Sequence, residues 1–137
     1  MNRYLIDTNI LIYASKADEK AITFMRQLFN DKTKVFLCSV ITEAELFSKT
    51  TNNEVKGKMK ALLNEAIIIE INSDIARKAG GIRASGEDNG YKIKLPDALI
   101  VATAIIENAT LVTHNPVDFL KINEFENLNI LDPMGDR

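Results

Sequence analysis

Short apolar runs alternate along this chain with longer segments in which apolar residues recur every three or four positions. The short runs fit strands: Arg3 to Ile6, Val35 to Cys38, the β-branched stretch Ala66 to Ile71, Thr110 to Thr113, and a brief Asn129 to Leu131. Ala21, Ile22, Met25, Leu28 and Phe29 line one face of a helix from about residue 18 to 30. Val55, Met59, Leu62, Leu63 and Ala66 do the same ahead of the third strand. Pro96 suits the first position of a helix, and Asp97 to Ile106 is apolar nearly all round, the pattern of a buried helix. Ahead of it, Ser85-Gly86-Glu87-Asp88-Asn89-Gly90 reads as an exposed loop. Alternating strands and helices predict an α/β fold of three layers, α/β/α, with a mostly parallel central sheet. Ligands of such sheets bind beyond the carboxyl ends of the strands.

Composition changes the picture only by exclusion. The 137 residues suit a single domain, 1–137, with a sizeable core. A 46% hydrophobic and 26% charged share is ordinary for a globular chain and argues against disorder. No apolar run approaches a membrane span, and the N-terminus lacks a signal-peptide pattern, so a cytoplasmic location with no membrane role is expected. Cys38, the single cysteine, lies in an apolar run with no base nearby and reads as a buried structural thiol. A net charge of −2 does not advertise nucleic acid, though bound cations cancel part of any carboxylate cluster.

Four acids stand out by position. Asp7 ends the first strand, Glu45 lies one helical turn past the second, Asp97 follows Pro96, and Asp118 comes just after the fourth strand. Each has a structural reading of its own. Asp7 could cap a helix that begins near Asn9, and Thr42-x-x-Glu45 matches a capping box. Asp97 could complement a helix dipole, and Asn115-Pro116-Val117-Asp118 resembles a helix start. Their joint placement says more. Asp7, Glu45 and Asp118 fall at strand-to-helix junctions, which share one edge of a parallel sheet, and Asp97 joins them if its helix points there. Carboxylates gathered in that way resist joint ionisation, and a hard divalent cation such as Mg²⁺ relieves the conflict. That is the outline of a phosphodiester-cleaving site.

Other motifs carry less. His114 is the only histidine, which leaves no paired-histidine chemistry, and it reads as a packing residue at a strand end. No phosphate-cradling loop appears, and Gly80-Gly81 lies inside a helical pattern. Lys56, Lys58 and Lys60 look like a solvated helix face, whereas Lys92 and Lys94, just ahead of Asp97, are better placed to touch a phosphate backbone.

Four segments stand out together: Leu5-Ile6-Asp7-Thr8-Asn9, Ser39-Val40-Ile41-Thr42-x-Ala44-Glu45-Leu46, Leu95-Pro96-Asp97 through Ala104, and Leu111-Val112-Thr113-x-Asn115-x-x-Asp118-Phe119. In their order and spacing they resemble the PIN-domain ribonucleases, particularly the VapC toxins of toxin–antitoxin pairs. The resemblance covers nearly the whole chain. It implies that Asp7, Glu45 and Asp97 bind the metal, with Asp118 a candidate fourth acid. It makes Thr8 and Asn9 polar partners of the first acid, with Thr113 and Asn115 as further support. Many members carry an acid where Asn115 stands, so Asn115 and Asp118 compete to complete the site; Glu43 lies close to Glu45, but the family register favours Glu45.

The resemblance further implies Mg²⁺- or Mn²⁺-assisted hydrolysis of RNA by one or two ions, a homodimer, and a cognate antitoxin that blocks the site. Three alternatives stay open at this level: a PIN-like module that binds RNA or protein without cutting, a phosphorylated receiver-like switch, and a nuclease acting on flapped DNA.

Overall fold

A computed structural model of the chain describes residues 2–114 and 116–135. Five strands form one sheet: β1 (Asn2–Ile6), β2 (Lys34–Ser39), β3 (Ile67–Ile69), β4 (Thr110–Val112) and β5 (Ile130–Leu131). Their order is β3-β2-β1-β4-β5, and every neighbouring pair is parallel. Between them run α1 (Thr8–Ser15), α2 (Glu19–Asn30), α3 (Val40–Phe47) and α4 (Asn53–Asn64), then α5 (Ser73–Asp88), α6 (Leu95–Ile106) and α7 (Val117–Ile122).

Strand alternation sorts the core into two halves. On one face Leu5, Leu37 and Leu111 pack with Ile75, Ile82 and Val101 of α5 and α6. On the other, Ile6, Cys38 and Val112 pack with residues of α1 to α4, among them Leu11, Met25, Leu46 and Leu63. Successive residues of a strand point to opposite faces, so three consecutive layers arise from a period of two in β1, β2 and β4. Burying each such side chain contributes roughly 1.5–3 kcal/mol. β1 is central, and that decides where the chemistry sits: the residue that ends it is flanked on both sides by the ends of β2 and β4.

Three expected boundaries shift. The third strand is confined to Ile67–Ile69, because only β2 pairs with it, over Leu37 to Ser39, and the chain then turns toward Asn72. Thr113 falls just outside β4, although its N–H still donates to the Leu131 carbonyl at 3.0 Å. The stretch Ser85 to Gly90 is a loop only at its end. Ser85 to Asp88 continue α5, whose side chain at Asn72 caps the start by accepting from Ile75 N–H. Gly86 is buried there because the returning loop lies on it: the Tyr91 N–H donates to the Gly86 carbonyl at 2.8 Å, and a Cβ would collide with the side chain of Ile93. Gly90, at φ +80°, makes the left-handed turn that ends the helix.

Candidate active site

The acids converge as the strand order requires. Asp7 follows β1 directly, and its side chain caps α1 by accepting from the Thr8 N–H at 2.8 Å. The capping role is real, but it engages only one carboxylate oxygen. The other accepts from the Thr113 hydroxyl at 2.8 Å, from the neighbouring strand end. Glu45 is no capping-box partner: α3 starts at Val40, capped by the Ser39 hydroxyl, so Glu45 stands a turn further on. Its carboxylate accepts from the Thr8 hydroxyl at 2.7 Å. Asp97 lies in the first turn of α6, which has no side-chain cap, and Asp118 in the first turn of α7.

All four carboxylates line one cleft of about 280 Å³, with Thr8, Asn9 and Thr113 between them. Ile12 and Phe119 supply its apolar wall. Glu43, the competitor for the second acid, is not among the lining residues. Asn115, the competitor for the fourth, lies outside the described residues. Asp118 is the outermost acid, its side chain 79% exposed and 3.6 Å from the Lys121 ammonium.

Burial pushes Asp7 up to about 6, and the nearby charges of Glu45 and Asp97 add to it, against the two hydrogen bonds from Thr113 and Thr8. Asp97 is raised as well, first by burial, then by Asp118 and Glu45, with Lys94 opposing. The acids therefore repel one another across the cleft. Cys38 is inert by comparison, its thiol buried and pushed up to about 12.

A polar network fixes the first acid. The Asn9 side-chain amide donates to the His114 carbonyl at 2.7 Å and to the Thr113 hydroxyl at 3.2 Å, and its oxygen accepts the His114 N–H at 3.1 Å. The single Thr113 proton is thereby directed at Asp7. His114 itself faces elsewhere, buried edge-on against Tyr13 and paired with Asp132 at 3.1 Å.

Lys92 and Lys94 line a second cleft, of about 320 Å³, whose wall includes Asp97, Asp118 and Lys121. Lys49 enters the first cleft without any expectation from the sequence. Its one cue is the spacing from Glu45, four residues and one helical turn.

The donor set suits a hard divalent cation: four carboxylates line one cleft, and at Asp7 and Asp97 burial first and the neighbouring acids second disfavour the charge that a cation would stabilise. The side chains stand apart, and no three acid, histidine or cysteine groups among the described residues close on a common point.

The profile of the PIN domain matches residues 4–124. Ribonuclease VapC2 of Rickettsia felis is 32% identical over 122 residues, spanning 87% of this chain and 91% of that protein. Ribonuclease VapC1 of Haemophilus influenzae is 31% identical over 129 residues, spanning 90% and 94%. The crystal structure of VapBC2 from Rickettsia felis, bound to a DNA fragment from its promoter, contains a chain that matches with a TM-score of 0.81 at 31% identity. That match covers 94% of this chain and 97% of the other. The chain belongs to the PIN-domain family and, within it, to the VapC ribonucleases.

Proposed function

We propose that this chain is an endoribonuclease that hydrolyses RNA phosphodiester bonds with Mg²⁺ or Mn²⁺, as the toxin of a cytoplasmic toxin–antitoxin pair. One observation carries the reading: acids from four separate segments line a single cleft at the carboxyl edge of the sheet, in a chain that aligns with VapC ribonucleases over most of its length. Asp7, Glu45 and Asp97 would hold the cation, with Asp118 completing the set from the rim. The chemistry such an ion supplies is acidification of water and neutralisation of phosphate charge.

The chain's own groups do the rest. Thr8 ties Asp7 to Glu45 by donating from its N–H to one and from its hydroxyl to the other. Thr113 and Asn9 keep Asp7 an acceptor. Lys92 and Lys94 would engage backbone phosphates, which positions a strand without reading its sequence.

A homodimer and a small antitoxin partner complete the proposal. The antitoxin has support from a solved relative: a Klebsiella pneumoniae toxin–antitoxin complex contains a chain that matches this one with a TM-score of 0.73 at 28% identity. A binding module that does not cut would have no use for acids that repel each other. Among the described residues no helix is long and apolar enough to cross a membrane.

Purified protein incubated with a panel of structured and single-stranded RNAs tests the activity. Cleavage with Mg²⁺ or Mn²⁺ and none in EDTA is the expected pattern; equal cleavage in EDTA would overturn the metal requirement.

A further inference from the structure

The acid cleft and the cleft of Lys92 and Lys94 share Asp97 and Asp118 as common wall, so they form one trough. Lys49 lines only the first of them, and the other two lysines line only the second. Lys49 thus shares its cleft with Asp7 and Glu45, Lys92 and Lys94 share theirs with Lys121, and Asp97 and Asp118 border both.

Lys49 has two properties that need explaining together. It is exposed, with its backbone N–H bonded to the Leu46 carbonyl at 3.2 Å just past the end of α3. Yet its ammonium makes no ion pair among the described residues, although four carboxylates line the same cleft. Lys121, by contrast, lies 3.6 Å from Asp118 and stands over the Tyr91 ring, 5.9 Å from its centre. A flexible ammonium held at the cleft without a protein partner is suited to a mobile anion.

We propose that Lys49 is an RNA-binding residue. It holds a backbone phosphate on the side of the scissile bond opposite the one held by Lys92 and Lys94. The inference rests on the ribonuclease reading of the trough and extends it to the direction the strand takes. A strand drawn across the acids brings phosphate charge toward carboxylate charge, and lysines at both ends offset that repulsion where a lysine at one end cannot. The phosphate contact is independent of base, so Lys49 sets affinity and alignment rather than sequence preference.

Two readouts test it. One is the affinity for a short fluorescein-labelled single-stranded RNA of mixed sequence, followed by anisotropy over a KCl series in EDTA, where the RNA stays intact. The other is kcat and KM on an RNA that the parent protein cuts. Lys49→Gln should weaken binding roughly three- to ten-fold and reduce the slope of log affinity against log salt by about 0.7, the share of one phosphate contact on a single strand. KM should rise with little change in kcat, and Lys49→Arg should restore most of the affinity. Lys60→Gln, which removes the same charge from the exposed face of α4, should do neither.

A lysine that merely offsets the carboxylates would behave differently. Its removal would tighten Mg²⁺ binding and leave the salt slope unchanged, and that result overturns the proposal. If the parent cuts RNA and Lys49→Gln matches it in KM and slope, the inference fails while the nuclease reading stands. If the parent neither binds nor cuts any RNA, both fail.

Discussion

The Thr113 hydroxyl donates to the Asp7 carboxylate at 2.8 Å, joining the end of β4 to the end of β1 on the edge where the acids gather. It is one of two hydrogen bonds that favour the charged form of a carboxylate which burial has pushed up to about 6. Thr113→Val removes it with little change in shape. Asp7 should then be raised further, and the acid limb of the pH–activity profile should move to higher pH. Losses of such supporting bonds typically cost 10–100-fold in metal affinity or activity. Thr113→Ser, which keeps the hydroxyl, should retain the parent profile; an unmoved profile in Thr113→Val would mean that Asp7 does not govern that limb.

Burial of Asp7 also makes a statement about stability without metal. A carboxyl raised from 3.8 to about 6 stabilises the fold while protonated, fully below pH 4, and that contribution is lost as pH rises through 6. The difference is on the order of 2–3 kcal/mol, at about 1.4 kcal/mol for each pKa unit. In EDTA the parent should therefore lose stability relative to Asp7→Asn between pH 4 and about 6.5. Asn caps helices about as well as Asp, so the α1 cap survives the change. Melting curves of both proteins at several pH values read the difference, and parallel curves would contradict the buried, repelled carboxylate.

Gly86 separates a packing requirement from helix propensity. Ala is favoured over Gly by roughly 1 kcal/mol in a helix interior, so Gly80→Ala and Gly81→Ala, where a Cβ meets nothing within 4 Å, should raise stability by up to that much. Gly86→Ala drives a methyl into Ile93, and overpacking of this kind costs about 1–3 kcal/mol. It should lower the melting temperature where the other two raise it. The loop that it displaces also carries Lys92 and Lys94, so RNA affinity should fall as well. A stable Gly86→Ala with unchanged affinity would show that the loop is free to move away.

Asp118 stands at the rim, yet its charge helps to hold Asp97 up. Asp118→Asn should lower cleavage about ten-fold, toward the low end for partially supporting groups, and by more than Asn115→Ala. The reverse ranking, measured at saturating metal, would give the fourth position to Asn115.

The strands β1, β2 and β4 were legible because they are apolar enough to stand out, and in a parallel sheet their carboxyl ends share an edge; their order in the sheet was not. Asp7 and Asp118 followed from that. The capping-box reading of Glu45 was as legible as the site reading, and it could be set aside only once Ser39 was seen to cap α3. The length of α5 was hidden by its glycines and acids: a Gly-Glu-Asp-Asn-Gly string looks like a loop until Ile93 is found packed on Gly86. Lys49 was illegible for a different reason. A lysine four residues past an acid is a common surface pattern, and only the fold shows that this one lines the cleft. The exposure of Asp118 likewise depends on how α7 leaves the sheet.

The central claim is that Asp7, Glu45 and Asp97 jointly hold a divalent cation used to cut RNA. Thermal melts in EDTA and in Mg²⁺ at ten times its dissociation constant, on the parent and on Asp7→Asn, Glu45→Gln and Asp97→Asn, address it directly. The parent should gain about 1.4 kcal/mol by mass action, a melting shift of roughly 3–8 °C. Each variant should match or exceed the parent in EDTA, having lost one charge from a repelling set, and should gain far less with Mg²⁺ while losing most of its cleavage. Four equal Mg²⁺-induced shifts, with cleavage undiminished in the variants, would contradict it.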